Sequence, residues 1–138
     1  MHKFIFWGTI LAGLAVAFGA FGTHLIAPIL AQLETPNVKQ TPPIQIFQTG
    51  VQYQFFHALA IIITGLLYRQ KNNRHVKNAG LLFIIGIILF SGSLYFITIG
   101  YLMHRNFGFA GAITPLGGIS FLIGWILLAF NFKKHTGR

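Results

Sequence analysis

The chain contains no cysteine and no aspartate, and its single acid is Glu34. Without cysteine there is no disulfide framework, no thiol chemistry and no cysteine-ligated metal. Without a second carboxylate there is no acid/base pair. No apolar run holds the intramembrane acid by which a small proton-coupled exporter would exchange a cation. Charge of either sign is scarce: 8% of the 138 residues are charged, against roughly 25% in a soluble domain. With 54% hydrophobic residues, the composition is that of a membrane protein of one small helical domain, residues 1–138. The net charge of +9 would suggest nucleic acid in a soluble chain. Here the positive residues sit in loops and tails beside apolar runs, where they set orientation and meet anionic lipid. No nucleic-acid partner is expected.

The segment Gln48 to Tyr68 is the most informative. Wound as a helix, it places Gln54, His57, Ile61, Thr64, Gly65 and Tyr68 on one side. Phe55, Phe56, Leu59, Ile62, Ile63 and Leu66 fill the others. Polar side chains facing lipid lack hydrogen-bond partners, so the polar stripe must face protein.

Three further apolar runs complete the chain, giving predicted spans of about 4–25, 50–68, 79–101 and 113–132. The first is read as a retained span, not a cleaved signal segment. It carries two seams of small residues, one of Gly8, Ala12, Ala15, Gly19 and Gly22, the other of Gly13, Ala17, Ala20 and His24. Small residues let helix backbones approach closely, so this helix is expected to have neighbours on both sides and the closest contacts of the structure. Pro28 is expected to mark the end of its regular packing. Residues 32–49, broken by Pro36, Pro42 and Pro43, read as an extended piece and a short interfacial segment on the outer side. In the third span Ser91, Tyr95 and Thr98 share one face, and Gly86, Ser93 and Gly100 another. Thr114 and Pro115 have the form of an N-cap followed by proline in the first turn, with a kinked helix starting near Gly108 as the alternative. Gly117, Ser120 and Gly124 form the small stripe of the fourth span. Four spans bring Lys3, Arg69, Lys71, Arg74, Lys77, Lys133, Lys134 and Arg138 to one side, against Lys39 and Arg105 on the other. The positive-inside rule then puts both termini in the cytoplasm. The expected fold is all-α, an integral membrane bundle of four transmembrane helices, N-in and C-in.

The blocks GAFGTHL (Gly19–Leu25), TGVQYQFFHALA (Thr49–Ala60), LFSGSLY (Leu89–Tyr95) and GAITPLGGISFLIGW (Gly111–Trp125) occur in an order that resembles the domain-of-unknown-function 423 family. These small four-span membrane proteins are also called uncharacterised protein family 0382. The likeness covers nearly the whole chain, with Thr23 standing where the family pattern has alanine. It implies a multi-pass protein of the inner (plasma) membrane and no particular reaction.

The polar residues converge on the outer ends of the spans, which makes His24, Gln54, His57, Ser93, Tyr95, Arg105 and Thr114 the candidate ligand-binding residues. His24 and His57 are expected at equal depth, approaching each other or sharing a partner. Intramembrane polar groups signal function, yet they can equally tie helices together at about 1 kcal/mol each. Two histidines invite a haem or metal reading, but no carboxylate or cysteine completes such a site, and no cofactor is expected. No nucleophile is paired with a base and an orienting acid, and there is no phosphate loop. The expected role is non-enzymatic: an accessory or structural component that binds a lipid-like amphiphile or docks onto a membrane complex. Its expected partners are membrane lipids and a homo-oligomer or larger complex. A small-solute carrier or channel acting as an oligomer is the alternative.

Overall fold

The computed structural model describes residues 2–33, 41–70 and 72–133. Four helices in it are long and apolar enough to cross a membrane. Helix α1 spans Lys3–Leu33, α2 Pro43–Gln70 and α3 Arg74–Leu102. A 3-10 turn at Gly108–Ala112 leads into α4, Thr114–Lys133. Among the described residues there is no strand, and the fold is all-α.

The helices are longer than the apolar runs that announce them, for identifiable reasons. Pro43 occupies the first turn of α2, where a missing N–H is no loss, and the Pro42 carbonyl accepts from the N–H groups of Gln45 and Ile46. The extra turns are held by packing: Phe47 joins Ile26 and Leu30 of α1 in a small buried cluster flanked by Ile44 and Val51. Residues 43–49 are thus part of α2, not an interfacial segment, and Gln32 and Leu33 belong to α1. Of the rest of the expected outer segment, Thr41 and Pro42 are non-helical, and 34–40 lies outside the described residues. Pro28 does not end α1 either. A π-turn over Gly22–Ile26 precedes it, after which the helix resumes over Ala27–Leu33. A proline ring clashes with the carbonyl four residues back, and one wide turn relieves that clash without breaking the helix.

Asn73 caps α3 by accepting from the His75 N–H, and it also donates to the side chain of Asn131 on α4. The other end of α3 closes with His104 in the left-handed region, φ 52°. The Arg105 N–H reaches Gly100 O at 2.8 Å and the His104 N–H reaches Tyr101 O at 3.2 Å. That is the pair of bonds of a Schellman motif, with histidine in the place glycine normally takes.

The heaviest packing joins helices adjacent in sequence: α1 on α2, α2 on α3, α3 on α4. α2 is the most enclosed and α1 the least. Ile61, Ala60, Phe83, Ile87, Phe121 and Leu128 form the larger buried cluster between α2, α3 and α4.

Only one of α1's two seams is used. A Cβ added at Gly8 would lie 2.7 Å from Ile62 and 2.9 Å from the Ala58 carbonyl, and one at Gly22 would lie 2.6 Å from the Phe47 ring. Gly13, on the other seam, has nothing within 4 Å. The neighbours expected on both sides are found on one side only. Nor does α1 hold the closest contacts, which lie between α3 and α4. There Gly117 abuts the Phe90 backbone and Gly86 the Phe121 ring. At Gly19 the nearest atom is a comfortable 3.5 Å away, on Val51.

Substitution of Gly117 by alanine therefore forces α3 and α4 apart, for a loss of about 1–3 kcal/mol. Gly13→Ala meets no atom and gains up to about 1 kcal/mol of helix propensity; thermal unfolding in detergent separates the two. His104→Gly is expected to be stabilising. A left-handed residue with a Cβ costs about 1–2 kcal/mol, more than the roughly 0.4–1 kcal/mol of unfolded-state freedom that glycine adds. A melting temperature unchanged or lowered by His104→Gly would contradict that arithmetic.

Candidate functional site

The inward stripe of α2 lies where its periodicity demands. Gln54 is 3% exposed, His57 6%, Ile61 and Thr64 fully buried, while Phe56, Leu59, Ile63 and Leu66 face outward. Gln54 uses both ends of its amide. Its Nε2 donates to the carbonyl of Leu11 on α1 at 2.9 Å, and its Oε1 accepts from the Tyr95 hydroxyl on α3 at 2.8 Å. One side chain thus joins three helices. Tyr95 in turn lies edge-on to Phe18 of α1 and against Phe47 of α2.

One turn along α2, His57 Nδ1 lies 2.8 Å from the Tyr53 carbonyl, and its Nε2 lies 3.2 Å from the indole nitrogen of Trp125 on α4. The carbonyl only accepts and the indole N–H only donates. The ring is therefore neutral with its hydrogen on Nδ1. Phe121 stacks on it at 3.4 Å between centroids, inclined 10°, and Phe83 of α3 packs at 5.6 Å.

A second polar group lies between α3 and α4. The hydroxyls of Ser93 and Thr114 are 2.7 Å apart, and Ser93 also donates to the Phe90 carbonyl. Thr114 does not cap α4: the first bonds of that helix run from the Leu116 and Gly117 N–H groups to the Ile113 carbonyl, and the Thr114 hydroxyl lies at the helix interface. Further along, Ser120 donates to Leu82 O at 2.8 Å. Thr98 bonds the Leu94 carbonyl within its own helix at 3.0 Å. Ser91, at the end of a π-turn over Ile87–Ser91, is the one buried side-chain polar atom among the described residues without a partner.

Of the candidate residues, Gln54 and Tyr95 are brought together, as are Ser93 and Thr114, and His57 is one turn from Gln54. His24 is not part of the group: it is exposed on the unused seam of α1. The equal depth expected of the two histidines fails on the register of α1 against α2. Gly22 packs at Phe47 while Gln54 meets Leu11, so His24 sits beside the start of α2, roughly 15 Å along the helix from His57. Arg105 is exposed in the α3–α4 connection, beside the stacked rings of Phe96 and Phe107. The residues that complete the site were not singled out from the sequence. They are the Leu11 backbone and the rings of Tyr53, Phe121 and Trp125. A signal existed for Trp125 alone, since a donor-only indole deep in an apolar helix must find an acceptor. Among the described residues no three metal-ligating side chains come together.

Because Gln54 serves two helices, its loss is expected to exceed that of either partner. Tyr95→Phe should lower stability in detergent by about 1 kcal/mol, and Gln54→Ala by more. Adding Tyr95→Phe to Gln54→Ala should then change little. Full additivity in that double-mutant cycle would show that the bond contributes nothing.

A family model described as "Protein of unknown function (DUF423)" matches residues 18–118. Among similar proteins, the UPF0382 membrane protein YwdK of Bacillus subtilis (strain 168) is 39% identical over 136 residues, covering 98% of this chain and 99% of the relative. A UPF0382 membrane protein of Staphylococcus epidermidis is 34% identical over 137 residues, covering 99% and 100%. The UPF0382 inner membrane protein YgdD of Escherichia coli (strain K12) is 34% identical over 113 residues, covering 82% of this chain and 76% of the relative. No solved structure matches. Together with the four spans, these likenesses make the chain a multi-pass protein of the inner (plasma) membrane and a member of the DUF423, or UPF0382, family.

Proposed function

We propose that the protein is a non-enzymatic accessory component that docks a helix of another membrane chain on the open face of α1. The observation that carries this reading is the asymmetry of that helix. One small seam is packed against α2, while Gly13, Ala17, Ala20 and His24 on the other are exposed. Small residues at this spacing let a second backbone approach closely. An exposed histidine in an apolar helix is at odds with lipid and in keeping with a protein neighbour. The interior polar groups support the same reading. Gln54, His57, Ser93 and Thr114 hydrogen-bond within the protein, which leaves them committed to holding the helices.

The absence of native cysteine makes the test direct. A single cysteine at Ala17 should crosslink to a neighbouring chain in native membranes, and one at Ala15, buried against α2, should not. An adduct of twice the mass identifies a second copy, and any other discrete mass a different partner. Failure of Ala17→Cys to crosslink beyond the Ala15→Cys control would end the docking reading.

A second reading, binding of an anionic amphiphile, is favoured by one group of residues. Arg105 is flanked by exposed Met103 and Phe109 and by the Phe96–Phe107–Phe109 rings. A cation beside lipid-facing aromatics suits a headgroup phosphate above acyl chains. Native mass spectrometry should find co-purified anionic lipid that Arg105→Ala loses; equal retention by both proteins would remove this reading.

A further inference from the structure

We propose that His57 is a proton-sensitive clip between α2 and α4, closed by the neutral ring and released when the ring takes a second proton. The backbones of α2 and α4 approach each other little, and the space between them is filled by side chains. Of these, only His57 and Trp125 are joined across it by a hydrogen bond, 3.2 Å long, among the described residues. That bond needs a lone pair on Nε2, because an indole N–H cannot accept. A proton on Nε2 would set one N–H against another. The ring cannot invert its two nitrogens to escape, since Nδ1 faces a carbonyl that only accepts. Phe121, stacked at 3.4 Å and 10°, blocks the ring from tilting away while α4 stays in place. Protonation therefore moves α4, or at least Trp125.

Every element packed around the ring bears on this balance. Its hydrogen-bonding and stacking neighbours are Tyr53 on α2, Phe83 on α3, and Phe121 and Trp125 on α4. On the α1 side the adjoining groups are Gln54 and the Leu11 carbonyl, with the Tyr95 phenol behind them. The ionisable members of that set are the two phenols, and none is a carboxylate that would hold an imidazolium in place. Cation–π attraction to Phe121 is available to a charged ring, but it supplies no acceptor for Trp125. The closed arrangement takes only the neutral ring, so each fall in pH favours the open one. The clip is shut while the ring is neutral and opens once the ring is protonated. A membrane protein built this way couples the seating of its fourth helix to the acidity of its surroundings.

Trp7→Phe leaves Trp125 as the only tryptophan of the two in the chain, so its emission reports the clip alone. In nanodiscs taken from about pH 8 to about pH 5, that emission should shift in a single one-proton step. The same chain carrying His57→Gln should show no step, because the glutamine carbonyl accepts from the indole at every pH. His57→Asn serves the same purpose if the glutamine variant does not fold. Far-ultraviolet circular dichroism is recorded alongside. A flat emission profile in the His57 chain overturns the proposal, as does the same step in the amide variants. A step that coincides with loss of the helical signal overturns it too, since that is general acid unfolding.

Discussion

Inside a membrane a polar side chain has no water to fall back on, and Gln54 shows how far this protein is built around that constraint. A primary amide has a donor end and an acceptor end, and in hydrocarbon both must be met by protein. On α2 the donor end reaches the α1 backbone and the acceptor end reaches Tyr95 of α3. Three helices are thereby placed in register by one residue. Slipping α3 by a turn would strand the Tyr95 hydroxyl and the amide oxygen, and slipping α1 would part the amide N–H from the Leu11 carbonyl, each loss worth about 1–3 kcal/mol. The apolar cluster around Ile61 and Phe83 supplies close packing but tolerates small slips, so register comes from the amide.

The four helices are not held alike. Glycine against backbone and ring gives α3 and α4 their close seam at Gly117 and Gly86, and Ser120 adds a bond to the Leu82 carbonyl. α1 is fastened to α2 along Gly8, Ala15 and Gly22 and through the Leu11 carbonyl, and most of its remaining surface is open. A helix with one committed face and one free one suits a protein that meets a neighbour. The tightly joined α3–α4 pair supplies the rigid side of the structure. Between the two halves stands His57, whose partners on α2 and α4 leave it a single chemical form.

Much of this was legible in the residues. The polar stripe of α2 was fully readable, because the 3.6-residue period and the expense of polar groups in lipid point the same way. So were the two faces of α3, where Ser91 and Thr98 turn inward on one side and Ser93 and Gly100 on the other. The helix ends were harder to read. Pro43 and Pro28 look like breakers in a linear text. One of them starts a helix, and the other is absorbed by a π-turn, because packing of Phe47 with Ile26 and Leu30 stabilises the added turns.

Composition alone determined the class of the protein: few charges, no cysteine, one acid and four apolar runs leave only membrane-spanning helices. Periodicity determined which side of each helix had to be buried, since a polar group facing lipid has no partner wherever the helix stands. Only the tertiary structure decided which partner each group found. That depends on the relative height and rotation of two helices, and a shift of one turn, about 5.4 Å, exchanges one set of partners for another. Nothing local to Gln54 specifies the Leu11 carbonyl, a backbone group with no side-chain signature. Nothing local to His57 specifies Trp125, 68 positions away. Those pairings are met at one relative height of the helices, the same height at which the α1–α2 and α3–α4 seams close.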